Sequence, residues 1–380
     1  MNGPARLRDG WRPCLAVFVA ARLSLSLLSV VGVGLVDPLP PVDVPGRAGP
    51  DATPGWHNAI DATERQDAVW YLRLADAGWS GDDASAAFFP LYPLAVRAVS
   101  RVLPGDDLFA ALVVSNVAFF LALLALFALT REAFGDRVAR RAIVVAATFP
   151  TAFFFLAPYG ESLFLLCSLL AFRAARHDRW WGVALFGALA ALTRSVGVLL
   201  VPALLVEAAT SRRSGAGRAV PVGAALAAGL GPLLWFGWWG VAHGRWLAPL
   251  DAQANWQRTV TWPWETIVDA VELAWRFGSY WLLDLAIVTV AIVGLALATP
   301  VLRRSEAVYG WLSVLLPLAL PFPGRPLLSM PRFVVVVFPA LLGLAGADAR
   351  RAIPQPLVLS VLAGGWALCA VLFVNWLHVF

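Results

Sequence analysis

The stretch ERQDAVWYLRLADAGW, residues 64–79, sets Asp67 and Asp76 among two arginines and two tryptophans. On a helix over 66–77, Asp67 and Tyr71 share one i, i+4 neighbourhood, while Trp70, Leu74 and Ala77 mark an apolar stripe. Arg73 and Asp76 sit one turn apart, close enough to pair. An interfacial amphipathic helix explains this pattern if Asp67 is its cap or first-turn carboxylate. A carboxylate so placed can also take a proton from an attacking hydroxyl as a general base.

Further reactive side chains stand where bulk water is scarce. Arg194, between Thr193 and Ser195, interrupts an otherwise apolar run. An ionised group at membrane depth needs a partner or a wet cavity. Glu161, Asp67 or a bound phosphate would meet that need, and Arg332 in SMPRF raises the same question. Tyr92 in AAFFPLYPL offers a phenol beside apolar surface suited to a lipid chain, and Tyr159 adjoins Glu161 in APYGES. Gln253, in DAQANWQRTVTWPW, is a further candidate contact. A divalent cation held by Asp67 with Asp76, or with Asp82 and Asp83, suits the preference of hard cations for oxygen. Solvated surface carboxylates explain Asp82 and Asp83 more simply, so the metal stays unassigned. His57, His177, His243 and His378 are scattered, and Cys14, Cys167 and Cys369 sit in apolar stretches as small hydrophobes.

The elements that hold these residues are dictated by lipid. Of 380 residues, 60% are hydrophobic and 14% charged, and the mean hydropathy is +0.73. That composition calls for a bilayer. Several of the 18 tryptophans lie near segment ends, among them Trp180, Trp238, Trp239, Trp246 and Trp275, as interfacial anchors do. The net charge of +5 reflects arginines in short loops and gives no footprint for nucleic acid. A nucleotide-binding glycine loop is also missing, which argues against a nucleotide-sugar donor.

Residues 13–36 read as a retained first helix, too long and too poor in a cleavage site for an ordinary signal peptide. Arg6, Arg8 and Arg12 then hold the N-terminus in the cytoplasm. Basic clusters recur at 131–141, 173–179, 212–218, 303–304 and 350–351, and placing all of them inside demands an even number of crossings between each pair. The chain must therefore turn at APYGES and again near Thr193–Ser195, which makes short, broken helices suited to lining a cavity. Spans are expected near 13–36, 108–130, 141–157, 161–173, 180–193, 196–209, 219–241, 279–301, 307–322, 332–347 and 356–377. One long tilted helix in either broken region is the alternative. The fold class is all-α: a polytopic transmembrane helical bundle of about eleven segments forming one domain, 1–380. Its external parts include a first loop at 37–107, which starts Pro/Gly-rich and irregular, a second at 242–278, and PFPGRPLLSMPRF.

Asp67 in QDAVWYLRLADAGW, AAFFPLYPLAVR, FPTAFFFLAPYGESLFLL, GALAALTRSVGVLL and SMPRFVVVVFPALLGLA occur in an order and spacing that resemble the GPI mannosyltransferase 2 family and its bacterial relatives. The resemblance runs from about residue 60 to 347. It implies a C-type membrane glycosyltransferase that uses a polyprenyl-phosphate sugar, mannose foremost, at the extracytoplasmic face of the cell membrane. Asp67 then matches the acidic residue of the first external loop, the catalytic position. Gln66 stands where the family often has tryptophan, and Val69 where a small glycine is common.

A sugar on a lipid phosphate already has its leaving group, so such an enzyme needs a base for the acceptor hydroxyl and cations for the growing phosphate charge. Asp67 is the base under this reading. Arg194 and Arg332 face phosphate, and Glu161 orients Arg194 or assists the acceptor. One displacement implies inversion, with a glycolipid or envelope acceptor and membrane lipids as partners. A lipid transporter or flippase also accommodates broken helices and an intramembrane arginine. A polymer-ligating envelope transferase is the nearer rival, and a scaffold would leave Asp67 and Arg194 apart.

Overall fold

In hydrocarbon every backbone N–H and C=O must be satisfied within its own segment, and helices do so residue by residue. The computed structural model describes residues 10–81, 84–211, 215–252, 258–350 and 353–377, and among these there is no β-strand. The helices are α1 Trp11–Gly32, α2 Asp67–Ala77, α3 Leu91–Ser100, α4 Asp107–Thr148, α5 Glu161–Arg176, α6 Trp180–Thr193, α7 Leu200–Ala209 and α8 Ala219–Ala227. They continue as α9 Leu230–His243, α10 Ala248–Asp251, α11 Pro263–Phe277, α12 Ser279–Ala298, α13 Arg304–Leu318, α14 Met330–Val334, α15 Phe338–Leu344 and α16 Gln355–Val374.

Among the described residues α1, α4, α12 and α16 are long and apolar enough to cross a membrane, and α8 with α9 makes a fifth candidate bent by 46°. The uniform span expected at 219–241 is thus two helices. Gly135, at φ 83° and ψ 174°, breaks α4 into two rods, so a single residue makes the turn expected between spans 108–130 and 141–157. The second rod stops at Thr148 rather than running to 157, because Pro150 drives its predecessor out of helical backbone. A 3-10 turn at Ala152–Phe155 then leads to α5. The span expected at 332–347 is also broken, into α14 and α15. Its β-branched run Val334–Val337 favours helix weakly, and Pro339 starts a new one.

Close packing joins these short pieces. α5 lies against α4 and α6, and α12 against α15. At the last contact a Cβ on Gly343 would fall 1.8 Å from the Gly294 carbonyl oxygen. Only glycine lets the two backbones approach so closely. On α11, Thr266, Ala270 and Ala274 are buried, whereas Trp264, Val268, Val271 and Trp275 form an exposed apolar stripe.

The basic segments meet at one end of the bundle. Arg173 pairs with Glu132 at 3.3 Å, Arg176 with Glu306, and Arg303 with Glu207 at 2.6 Å. α5 runs from that end, at Arg176, to Glu161 at the other, about 22 Å away at 1.5 Å per residue. The catalytic candidates gather at the Glu161 end.

Candidate active site

α2 begins on a backbone reversal. Gln66 adopts φ 55°, a conformation rare for a residue with a side chain, and its Nε2 donates to the Trp376 carbonyl at 3.1 Å. Asp67 is consequently the first helical residue, and no side chain caps the helix. Its carboxylate instead accepts from Arg332 Nη1. Arg332 Nη2 donates to Tyr71 Oη at 3.2 Å, so one guanidinium spans the i, i+4 pair. The expected stripe differs at one end: Leu74 is buried, but Ala77 is exposed and Tyr71 takes the core-facing role. Arg73 lies over Trp70 and donates to the carbonyls of Pro45 and Gly78.

The second half of the site comes from two helix breaks. Glu161 is the first residue of α5, and its Oε1 accepts from both Arg332 Nε and Arg194 Nη1. Arg194 sits in the extended backbone just after α6, at φ −152° and ψ 145°, where its own side chain swings back to Glu161. The result is a continuous chain, Asp67–Arg332–Glu161–Arg194. Two carboxylates offset two guanidiniums, as a buried cluster requires.

The two acids are not equivalent. The Asp67 side chain is 34% exposed and that of Glu161 is 0%. Only Asp67 can meet a substrate directly; Glu161 can orient the arginines. Its second oxygen, Oε2, is buried without a hydrogen-bond partner.

Tyr159 and Tyr92 stand behind this chain. The Arg332 guanidinium lies 4.9 Å from the Tyr159 ring centroid, while Tyr159 Oη donates to the Arg65 carbonyl at 2.8 Å. Tyr92 is fully buried, with Oη 2.8 Å from Ser115 Oγ and its ring edge-on to Tyr71 at 5.1 Å. The expectation that the Tyr92 phenol faces a lipid chain is therefore corrected: apolar packing encloses it, and α4 takes up its hydroxyl. Tyr159 is likewise fully buried, and among the candidate site residues its ring meets the Arg332 guanidinium. Gln253 lies outside the described residues.

Sequence reasoning passed over three contributors. Tyr71 was discoverable from its spacing to Asp67; burial above all pushes its phenol up to about 12, so it stays protonated. Arg65 donates to the Val374 carbonyl at 2.9 Å and lies 5.1 Å from the Trp376 ring, tying the start of α2 to α16. Phe333, next to Arg332, carries Arg194 at 5.5 Å and Arg258 at 5.9 Å from its ring centroid. No local sequence signal links those last three.

Among the described residues no group of three or more His, Cys, Asp or Glu side chains converges. Asp82 and Asp83 are outside them, and Asp76 lies at the opposite end of α2 from Asp67.

A family model described as mannosyltransferase (PIG-V) matches residues 53–211, a range holding Asp67, Tyr71, Tyr159, Glu161 and Arg194 but not Arg258 or Arg332. No curated protein sequence matches the chain. ArnT from Cupriavidus metallidurans, solved bound to undecaprenyl phosphate, is similar in structure with a TM-score of 0.53 at 14% identity, over 96% of this chain and 76% of that one. An Archaeoglobus fulgidus oligosaccharyltransferase, solved tethered to an acceptor peptide, reaches 0.46 at 13% identity, over 96% of this chain and 55% of that one. The fold shared with ArnT is that of C-type glycosyltransferases. On the family match and this fold, the chain is a membrane glycosyltransferase whose residues 53–211 match the mannosyltransferase (PIG-V) family.

Proposed function

We propose that this protein transfers mannose from a polyprenyl-phosphate donor to a hydroxyl of a lipid-linked or cell-envelope acceptor, with inversion at the sugar. The observation that carries this reading is the position of Asp67 as the one solvent-reachable carboxylate on a buried acid–arginine chain. Held by Arg332, Asp67 is oriented to take the acceptor proton. The acceptor oxygen bonds to the sugar anomeric carbon as the bond from that carbon to the phosphate oxygen breaks, its electron pair leaving with the phosphate. Phosphate departs without prior protonation, so a second acid of the hydrolase type is unnecessary.

The undecaprenyl phosphate bound by ArnT supports a polyprenyl-phosphate donor. The convergence of Arg173, Arg176 and Arg303 at the far end of the bundle supports a cytoplasmic N-terminus and an extracytoplasmic active site. Arg194 and Arg332 serve two tasks in this scheme, aligning the acids and lending positive field to the departing phosphate.

Purified protein supplied with polyprenyl-phosphate mannose and a panel of envelope acceptors tests the reading. Asp67→Asn is expected to abolish transfer while leaving membrane insertion intact and, since asparagine still accepts from Arg332, costing only about 1 kcal/mol of stability. A fully active Asp67→Asn protein would overturn the assignment of the base, and lipid movement without transfer by the native chain would instead favour a flippase.

A further inference from the structure

The guanidiniums of Arg194 and Arg258 lie over Phe333, that of Arg332 shares Glu161 with Arg194, and the three differ in what occupies them. Arg332 donates from Nε, Nη1 and Nη2, to Glu161, Asp67 and Tyr71. Arg194 donates through Nη1 to Glu161, and no other bond from its guanidinium is seen among the described residues. Arg258, half-buried in the segment leading to α11, donates Nη1 to the Leu320 carbonyl at 2.9 Å. Among the described residues no carboxylate pairs with it.

Among the described residues that difference leaves one cation without a partner acid beside an otherwise balanced cluster. Asp67 and Glu161 offset Arg332 and Arg194, so among the described residues Arg258 is the surplus cation, and burial pulls its pKa below the ordinary arginine value. A half-buried charge is retained at such expense more readily when a ligand supplies the counter-charge. Arg258 and Arg194 both lie within cation–π distance of the one Phe333 ring, at 5.9 and 5.5 Å. Guanidinium forks suit a tetrahedral oxyanion better than a point cation does.

We infer that Arg258 and the uncommitted N–H groups of Arg194 form the binding site for the phosphate of a lipid-linked sugar, with Phe333 as its apolar floor; this rests on the glycosyl-transfer reading above. During transfer the donor phosphodiester becomes a phosphomonoester, which gains a negative charge as the acceptor proton passes to Asp67. Arg258 is the cation left to receive that charge. Arg332, whose three donors are taken by Glu161, Asp67 and Tyr71, positions Asp67 and adds only its field.

Binding to the full-length protein in lipid nanodiscs tests the site directly. The probes are a short-chain polyprenyl phosphate, the polyprenol of equal length, inorganic phosphate and phosphatidylglycerol. Arg258→Gln is expected to weaken polyprenyl phosphate binding by about 10-fold or more, the range for loss of a charge-assisted bond, and to leave polyprenol binding unchanged. Arg258→Met serves as a second neutral variant if glutamine prevents folding, and Arg258→Lys is expected to recover part of the affinity.

Equal affinity in a folded neutral variant overturns the site. Displacement of the probe by phosphatidylglycerol at equal concentration overturns it too, because the contact is then with anionic lipid in general, and equal displacement by inorganic phosphate removes the lipid-linked ligand from the assignment. Arg258-dependent binding by a native chain that transfers no sugar from any polyprenyl-phosphate donor refutes the glycosyl-transfer reading but sustains the phosphate site. Native donor KM and kcat in Arg258→Gln refute the phosphate site and leave that reading intact.

Discussion

Replacing Glu161 by glutamine removes the negative charge on which two arginines converge, while keeping the side chain's size. Glu161 Oε1 accepts from Arg194 and Arg332, and its side chain is completely buried. A hydrogen bond to a charged group contributes about 1.5–3 kcal/mol and a neutral one about 0.5–1.5 kcal/mol. Glutamine keeps a carbonyl acceptor, so two weakened bonds amount to a loss of about 2–3 kcal/mol. Leaving a buried charge unpaired raises the upper bound to about 5 kcal/mol. Because Glu161 has no exposure, solvent offers little relief. The assay is mixed-micelle unfolding of the native, Glu161→Gln, Arg194→Gln and doubly substituted proteins, with transfer activity measured beside it. The expected coupling between positions 161 and 194 is about 1–3 kcal/mol. Transfer should also fall, since Arg332 would lose the anchor that fixes its grip on Asp67. Full stability and full activity in Glu161→Gln would refute the idea that this acid organises the site, and additive losses in the double variant would refute the direct pairing.

Tyr71→Phe removes one acceptor from Arg332 and is expected to destabilise the fold by about 1 kcal/mol and to slow transfer while leaving donor binding near native. The same variant carries a pH signature: burial raises the phenol to about 12 from near 10, so it is protonated in both states below pH 10 and contributes no slope there. Between about pH 10 and 12 the unfolded chain loses the proton and the folded one keeps it, so stability falls by about 1.4 kcal/mol per pH unit; unfolding of Tyr71→Phe should be less steep by that amount, and an unchanged slope counts against the burial argument. Gly343→Ala brings a methyl group onto the Gly294 carbonyl and is expected to cost about 2–3 kcal/mol, read as a lower unfolding midpoint; no loss would mean that α12 and α15 part without penalty.

The sequence exposed some of this machinery because charges in apolar runs are conspicuous. Arg194 and Glu161 stand out against their neighbours, and each proves to sit at a helix break whose turn was required by the distribution of basic loops. Tyr71 was legible by spacing alone. The breaks inside 219–241 and 332–347 were hidden because lipid-compatible residues fill both halves, and hydropathy does not register a bend. Pro339 and the valine run before it did carry that signal, in propensity rather than polarity. Arg258 was masked differently, since an arginine in a polar external loop looks unremarkable until its distance to Phe333 is known.

The site depends on those interruptions. A continuous helix through 180–209 would keep Arg194 on a helical register, whereas the extended residue after α6 directs its side chain back toward α5. The turn at Gln66 does the same for Asp67, setting it at a helix start where no neighbouring cap competes for its carboxylate. Glu161 also opens a helix, so both acids stand at helix starts, where the unpaired backbone N–H groups of the first turn carry partial positive charge. Asp67 and Glu161 differ chiefly in exposure, and that difference is why the proposed mechanism gives the proton to Asp67 and leaves Glu161 to hold the two arginines.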